Sequence, residues 1–109
     1  MSSEQAKEFI KLSMVAGEAL VKGLAEQGTE IGRINYQDNG NFNTTFHLHL
    51  YGRAKNAPTQ PFGTTFITPR KQDDCRKHFQ TQEPLNNDDI LAIKHHLEEI
   101  LNTNKYKNF

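Results

Sequence analysis

Ten residues in the middle of the chain, Thr44 to Arg53, alternate between apolar and polar so regularly that a β-strand is the structure that sorts them. In a strand, Phe46, Leu48 and Leu50 turn to one face, and Thr45, His47, His49 and Tyr51 turn to the other. The first set is expected to enter a core. The second gathers two imidazoles on an outer face, roughly 6 to 7 Å apart along the strand. That is close enough for both rings to address one phosphate or one metal ion. Imidazole is the side chain whose unperturbed pKa lies nearest 7, so chemistry at neutral pH is expected on this face.

The segments on either side set what this strand can pack against. From Ser3 to Gln27, Ala6, Phe9, Ile10, Val15, Ala19, Leu20 and Leu24 recur at spacings of three and four, which predicts a long amphipathic helix. Ser2 or Ser3 can cap it, and Gly28 stands where a left-handed terminal residue belongs. Gly17 and Gly23 lower helix propensity by about 1 kcal/mol each, which suits a close approach of another backbone. A short strand is expected over Glu30–Tyr36, and Asp38-Asn39-Gly40-Asn41 is a turn that folds it back as a hairpin onto the histidine strand. That loop carries Asn35, Gln37, Asn39, Asn41 and Asn43 beside the imidazoles.

Residues 54–62 read as loop, Gly63–Thr68 as a third strand closed by Pro69, and Arg70–Lys77 as a solvated connection. A second helix follows Pro84, with Asn86 or Asn87 as cap, Asp88 and Asp89 in its first turn, and an apolar face from Ile90 to Leu101. The tail from Asn102 to Phe109 is expected to fray. The predicted fold class is α+β: an antiparallel sheet packed against a long N-terminal helix, with a C-terminal helix, in one domain over 1–109.

Composition narrows the function classes. The 13 basic and 13 acidic residues cancel, which leaves no global field for a nucleic acid polymer or a membrane surface. No apolar run has the length of a membrane span. Cys75 is the one cysteine, so no intramolecular disulfide can form, and a reducing, cytoplasmic setting is the expectation. A hydrophobic content of 35% is low for so small a domain, and a homodimer would bury part of the exposed helix stripe.

Several stretches together resemble a known family. Met14 to Leu20 in the helix, then Gly32-Arg33-Ile34-Asn35-Tyr36-Gln37-Asp38-Asn39-Gly40-Asn41, then Phe46-His47-Leu48-His49-Leu50-Tyr51-Gly52-Arg53-Ala54-Lys55 look like the C-terminal half of a histidine triad (HIT) protein. The likeness covers roughly Glu8 to Pro69. It implies a HIT-like fold shortened at the N-terminus, and a nucleotide hydrolase or nucleotidyl transferase acting at the α-phosphate, with a nucleotide or nucleoside-phosphate substrate, no cofactor and a dimeric assembly. By the resemblance, His47 is the nucleophile and forms a nucleotidyl-histidine, while His49 holds phosphate oxygens. Asn35, Asn39, Asn41, Asn43, Thr45 and Arg53 are the substrate-binding candidates. Two departures accompany it. Thr45 stands where the family has its first histidine, and the family's strands upstream of the long helix have no counterpart here.

The nucleophile assignment also has a physical requirement of its own. A neutral imidazole attacks only if one ring nitrogen is free while an acceptor, often a backbone carbonyl, holds the proton on the other. Donors must also await the charge that builds on the phosphoryl oxygens. Two other readings remain open from the residues alone. One is a nucleotide-binding module without turnover. The other is a His-x-His metal site completed by His78, His95 or His96, for which the sequence places no third ligand nearby.

Overall fold

A computed structural model describes residues 1–38, 45–67 and 84–109 of the chain. The protein is α+β, with helix α1 (Ser3–Glu26), strands β1 (Ile31–Gln37) and β2 (His49–Ala54), helix α2 (Asn87–Leu101) and the short helix α3 (Asn104–Lys107). The expected turn beyond Asp38, with Asn39, Asn41 and Asn43, and the expected connection Arg70–Lys77, with Cys75, lie outside the described residues, as does His78.

Helix α1 begins with a reciprocal cap. The Gln5 N–H donates to Ser2 Oγ at 3.1 Å, and the Ser2 N–H donates to Gln5 Oε1 at 2.8 Å. It ends in the paired bonds of a Schellman motif: Thr29 N–H to Leu24 O at 2.8 Å and Gly28 N–H to Ala25 O at 3.0 Å. Gly28 sits at φ +91°, where a side chain would be strained. Asn86 caps α2 in the same reciprocal way with Asp89.

The core lies between the helices. Val15 and Ala19 of α1 are fully buried against Ile100 of α2 and Tyr106 of α3, with Met14, Ile93, Leu97 and Leu101 packed around them. Gly23 makes the crossing possible, since a Cβ there would stand 2.7 Å from the backbone nitrogen of Ile93. His96 adds a polar clasp, its Nε2 lying 2.9 Å from Glu26 Oε2. The expected fraying of the tail is overturned by Tyr106, which is 1% exposed. Its ring completes the apolar cluster while its hydroxyl donates to Glu18 Oε1 at 2.5 Å, so both ends of the side chain are satisfied.

The sheet has two antiparallel strands, with Arg33 opposite Arg53, Asn35 opposite Tyr51 and Gln37 opposite His49. A bulge between Ile31 and Arg33 reverses the alternation there. Ile31 thereby joins Ile34, Tyr36, Leu50 and Gly52 on the face toward α1. A Cβ on Gly52 would meet Ile31 Cδ1 at 3.3 Å and Leu20 Cδ2 at 3.4 Å. Arg33, Asn35, Gln37, His49, Tyr51 and Arg53 form the opposite face.

Two strand expectations are corrected. β2 begins at His49, five residues after Thr44, because β1 pairs only as far as Gln37 and a strand needs a ladder partner. Phe46, expected in the core, is consequently 58% exposed, its ring 5.1 Å from that of Phe9; Leu48 and Leu50 are half-buried. The third strand over Gly63–Thr68 is not formed over its described residues, 63–67. This segment instead folds as loop, with the Thr64 carbonyl turned toward Arg53 and the Ile67 N–H donating to Gln60 Oε1 at 2.6 Å.

Candidate active site

The polar face of the hairpin is where the chemistry-bearing residues meet. β2 aligns His49, Tyr51 and Arg53 by its two-residue repeat, and His47 precedes it, off the ladder. The His47 and His49 rings lie 4.9 Å apart, edge to face at 72°. His49 is stacked nearly parallel to Tyr51 at 5.8 Å and 6°, and Tyr51 is backed by Phe66 at 4.4 Å. The row is thus held by aromatic contact from one end.

His47 has a defined proton position. Its Nδ1 lies 2.6 Å from the main-chain oxygen of Thr45. A carbonyl can only accept, so Nδ1 carries the hydrogen, and in the neutral ring the lone pair is on Nε2. The acceptor belongs to the backbone, so the residue type at position 45 does not determine it.

Arg53, a substrate-binding candidate, lines the cavity on this face and is also held within the chain. It is 7% exposed, and its Nη2 donates to the carbonyls of Thr64 at 2.9 Å and of Gln60 and Pro61 at 3.2 Å each. The guanidinium also lies over the Phe66 ring, 5.3 Å from its centroid. Arg53 therefore latches residues 60–66 over the sheet. Gly32 permits this, because a Cβ there would fall 2.4 Å from the Phe62 ring.

Beneath this loop a cavity of about 520 Å³ is lined by Arg33, Asn35, Gln37, Thr64 and the rings of Phe62 and Phe66. Asn35 Oδ1 and Gln37 Oε1 are closed off from solvent and have no hydrogen-bond partner among the described residues. Each such buried acceptor costs roughly 1 to 3 kcal/mol.

Of the site residues expected from the sequence, His47, His49 and Thr45 are brought together, and Asn35 sits further along the same face opposite Tyr51. Asn39, Asn41 and Asn43 lie outside the described residues. Tyr51, Gln37, Arg33 and Phe66 were not assigned roles from sequence. The alternation of Arg33, Asn35 and Gln37 carries a signal for the first face, whereas nothing local announces that Phe66 would fold back across it.

Among the described residues no group of three or more His, Cys, Asp or Glu side chains could hold a metal ion. His95 and His96 are engaged elsewhere, with Glu99 at 3.1 Å and Glu26 at 2.9 Å. No described helix is long and apolar enough to cross a membrane. No family model, no curated protein and no solved structure matches the chain.

Proposed function

We propose that the chain is a HIT-like nucleotide hydrolase or nucleotidyl transferase that acts at an α-phosphate through His47. The observation that carries this reading is the 2.6 Å approach of His47 Nδ1 to the Thr45 carbonyl, the tautomer-fixing contact that a nucleophilic imidazole requires. Nε2 attacks the α-phosphorus, and the bond from phosphorus to the leaving group breaks, its electron pair departing with that group, which takes a proton from solvent. Water then attacks the same phosphorus and gives up a proton to solvent. The P–N bond breaks, its electrons return to the imidazole, and a nucleoside monophosphate leaves. His49, edge-on to His47, donates to the phosphoryl oxygens as their charge grows.

The reading includes a cytoplasmic setting and a second copy of the chain. Support for the latter is the exposure of Ile10 and Leu12 on α1 and of Tyr36 on β1. The test is a rapid-quench single turnover with an adenosine phosphoramidate and a diadenosine polyphosphate. An acid-labile nucleotidyl adduct is expected in the wild type, and a rate at least about a thousandfold lower in His47→Ala. Saturable nucleotide binding with no adduct and no turnover would overturn catalysis and leave a nucleotide-binding module.

A further inference from the structure

An imidazole that must aim an N–H at a phosphoryl oxygen needs its ring plane fixed. The side chain does not fix it alone, because the torsion that joins the ring to Cβ is broad. His47 is held by the Thr45 carbonyl. Among the described residues no hydrogen bond holds the His49 ring; its neighbours are other rings, His47 at 4.9 Å and Tyr51 at 5.8 Å and 6°. The plane of His49 is therefore only as well defined as that of Tyr51, and Tyr51 rests in turn on Phe66, 4.4 Å away.

Phe66 stands on a segment that is pinned on both sides of its ring. Arg53 Nη2 holds the Thr64 carbonyl at 2.9 Å, and the Ile67 N–H donates to Gln60 Oε1 at 2.6 Å. Gln60 makes that bond from a left-handed backbone, φ +48°, which a residue with a Cβ adopts against a steric cost and keeps only where its surroundings hold it. The Arg53 guanidinium also lies 5.3 Å from the Phe66 centroid. His49, Tyr51 and Phe66 are each half-buried, so every ring in the column has lost part of the space in which it could turn.

We propose that Phe66 is a positioning residue for the imidazole pair, acting through Tyr51. The pinned loop sets the Phe66 ring, Phe66 sets the Tyr51 ring, and Tyr51 sets the plane in which His49 faces His47. The service of this column to phosphoryl transfer rests on the function proposed above; the column itself does not.

The experiment reads the imidazole carbon and proton resonances of His49 in the full chain by NMR, in the wild type and in Phe66→Leu, Phe66→Met and Phe66→Tyr. Among the described residues Phe66 and His49 make no ring contact of their own, so a change at His49 reports movement of Tyr51 between them. Both ringless variants are expected to shift and broaden the His49 signals while the amide resonances of α1 and α2 keep their places, and Phe66→Tyr, which keeps the ring, should restore them. A merely structural Phe66 would loosen residues 60–67 and leave the imidazole signals where they are. In single turnover at saturating nucleotide, the rate of adduct formation should fall about ten- to a hundredfold in the ringless variants with little change in the half-saturating concentration, the pattern of a misaimed group and not of lost binding. Unmoved His49 signals in both ringless variants, or signals moved as far by Phe66→Tyr, would overturn the proposal. A wild type that forms no adduct would refute the function proposed above, and the ring signals would still decide whether Phe66 sets His49.

Discussion

The helical half of the molecule and the hairpin half are built on different principles. Around Val15, Ala19, Ile100 and Tyr106 the helices bury apolar side chains almost completely. On the polar side of the hairpin the one buried side chain among the described residues is charged: Arg53, which holds a loop by three carbonyls. A two-stranded sheet is marginal by itself, so this half depends on α1 beneath it and on the latch above it. The difference teaches where each property resides. The helices, which bury the apolar cluster, are expected to hold global stability, and the imidazoles, the two buried amide oxygens and the cavity lie on the other half.

Three measurements would break or sharpen that division. Tyr106→Ala should have the largest effect, a loss of about 3 to 5 kcal/mol in urea unfolding followed by far-ultraviolet circular dichroism, the size expected for truncating a buried aromatic residue. A melt unchanged by this substitution, with only the hairpin loosened, would remove the helical cluster from its central place. Arg53→Met should act locally and less strongly, by about 2 kcal/mol, since it deletes charged bonds to three carbonyls but keeps the aliphatic stem. Hydrogen exchange would show the Thr64 and Ile67 amides exchanging faster while the amides of α1 and α2 keep their protection. If the helices lose protection equally, the two halves are one cooperative unit.

The smallest effect concerns pH. Hydrogen bonds from Lys105 and Tyr106 lower the Glu18 pKa, so its contribution is complete above about 4.5 and is lost as pH falls through the lower folded value. Burial, and then the bond to Glu18, raises the Tyr106 pKa, so its contribution is complete below about 10 and is lost as pH rises through the folded value. Glu18→Gln should flatten the acid limb of the stability profile and leave most of the alkaline limb, because burial is the larger cause at Tyr106. With the Glu18 side chain 37% exposed, solvent screening keeps the change modest. An acid limb of unchanged depth in Glu18→Gln would assign acid sensitivity to other carboxylates.

Much of the helical half was legible because helix signals are local. Periodicity, the Ser2 and Asn86 caps and Gly28 depend on residues within a turn or two of each other, and the chain reads them without distant help. Gly17 and Gly23 announced the close approach of a backbone; at Gly23 it is that of Ile93, whereas at Gly17 the Tyr36 side chain fills the space instead. The fate of Tyr106 was not legible, since nothing in Asn102–Phe109 indicates that Glu18, 88 residues away, waits for its hydroxyl.

The candidate site divides along the same line. Alternation by itself determined that His49, Tyr51 and Arg53 share a face, and that Asn35 belongs to a strand beside them. Tertiary structure decided how far the ladder runs, and so left His47 outside it, where its ring reaches back to the Thr45 carbonyl. It also decided that residues 60–66 become a cover and not a strand, because a buried guanidinium needs carbonyl acceptors and found them there. A side chain's face is a property of the backbone repeat and is written locally. Which distant groups answer it depends on long-range packing, which no short stretch of residues encodes.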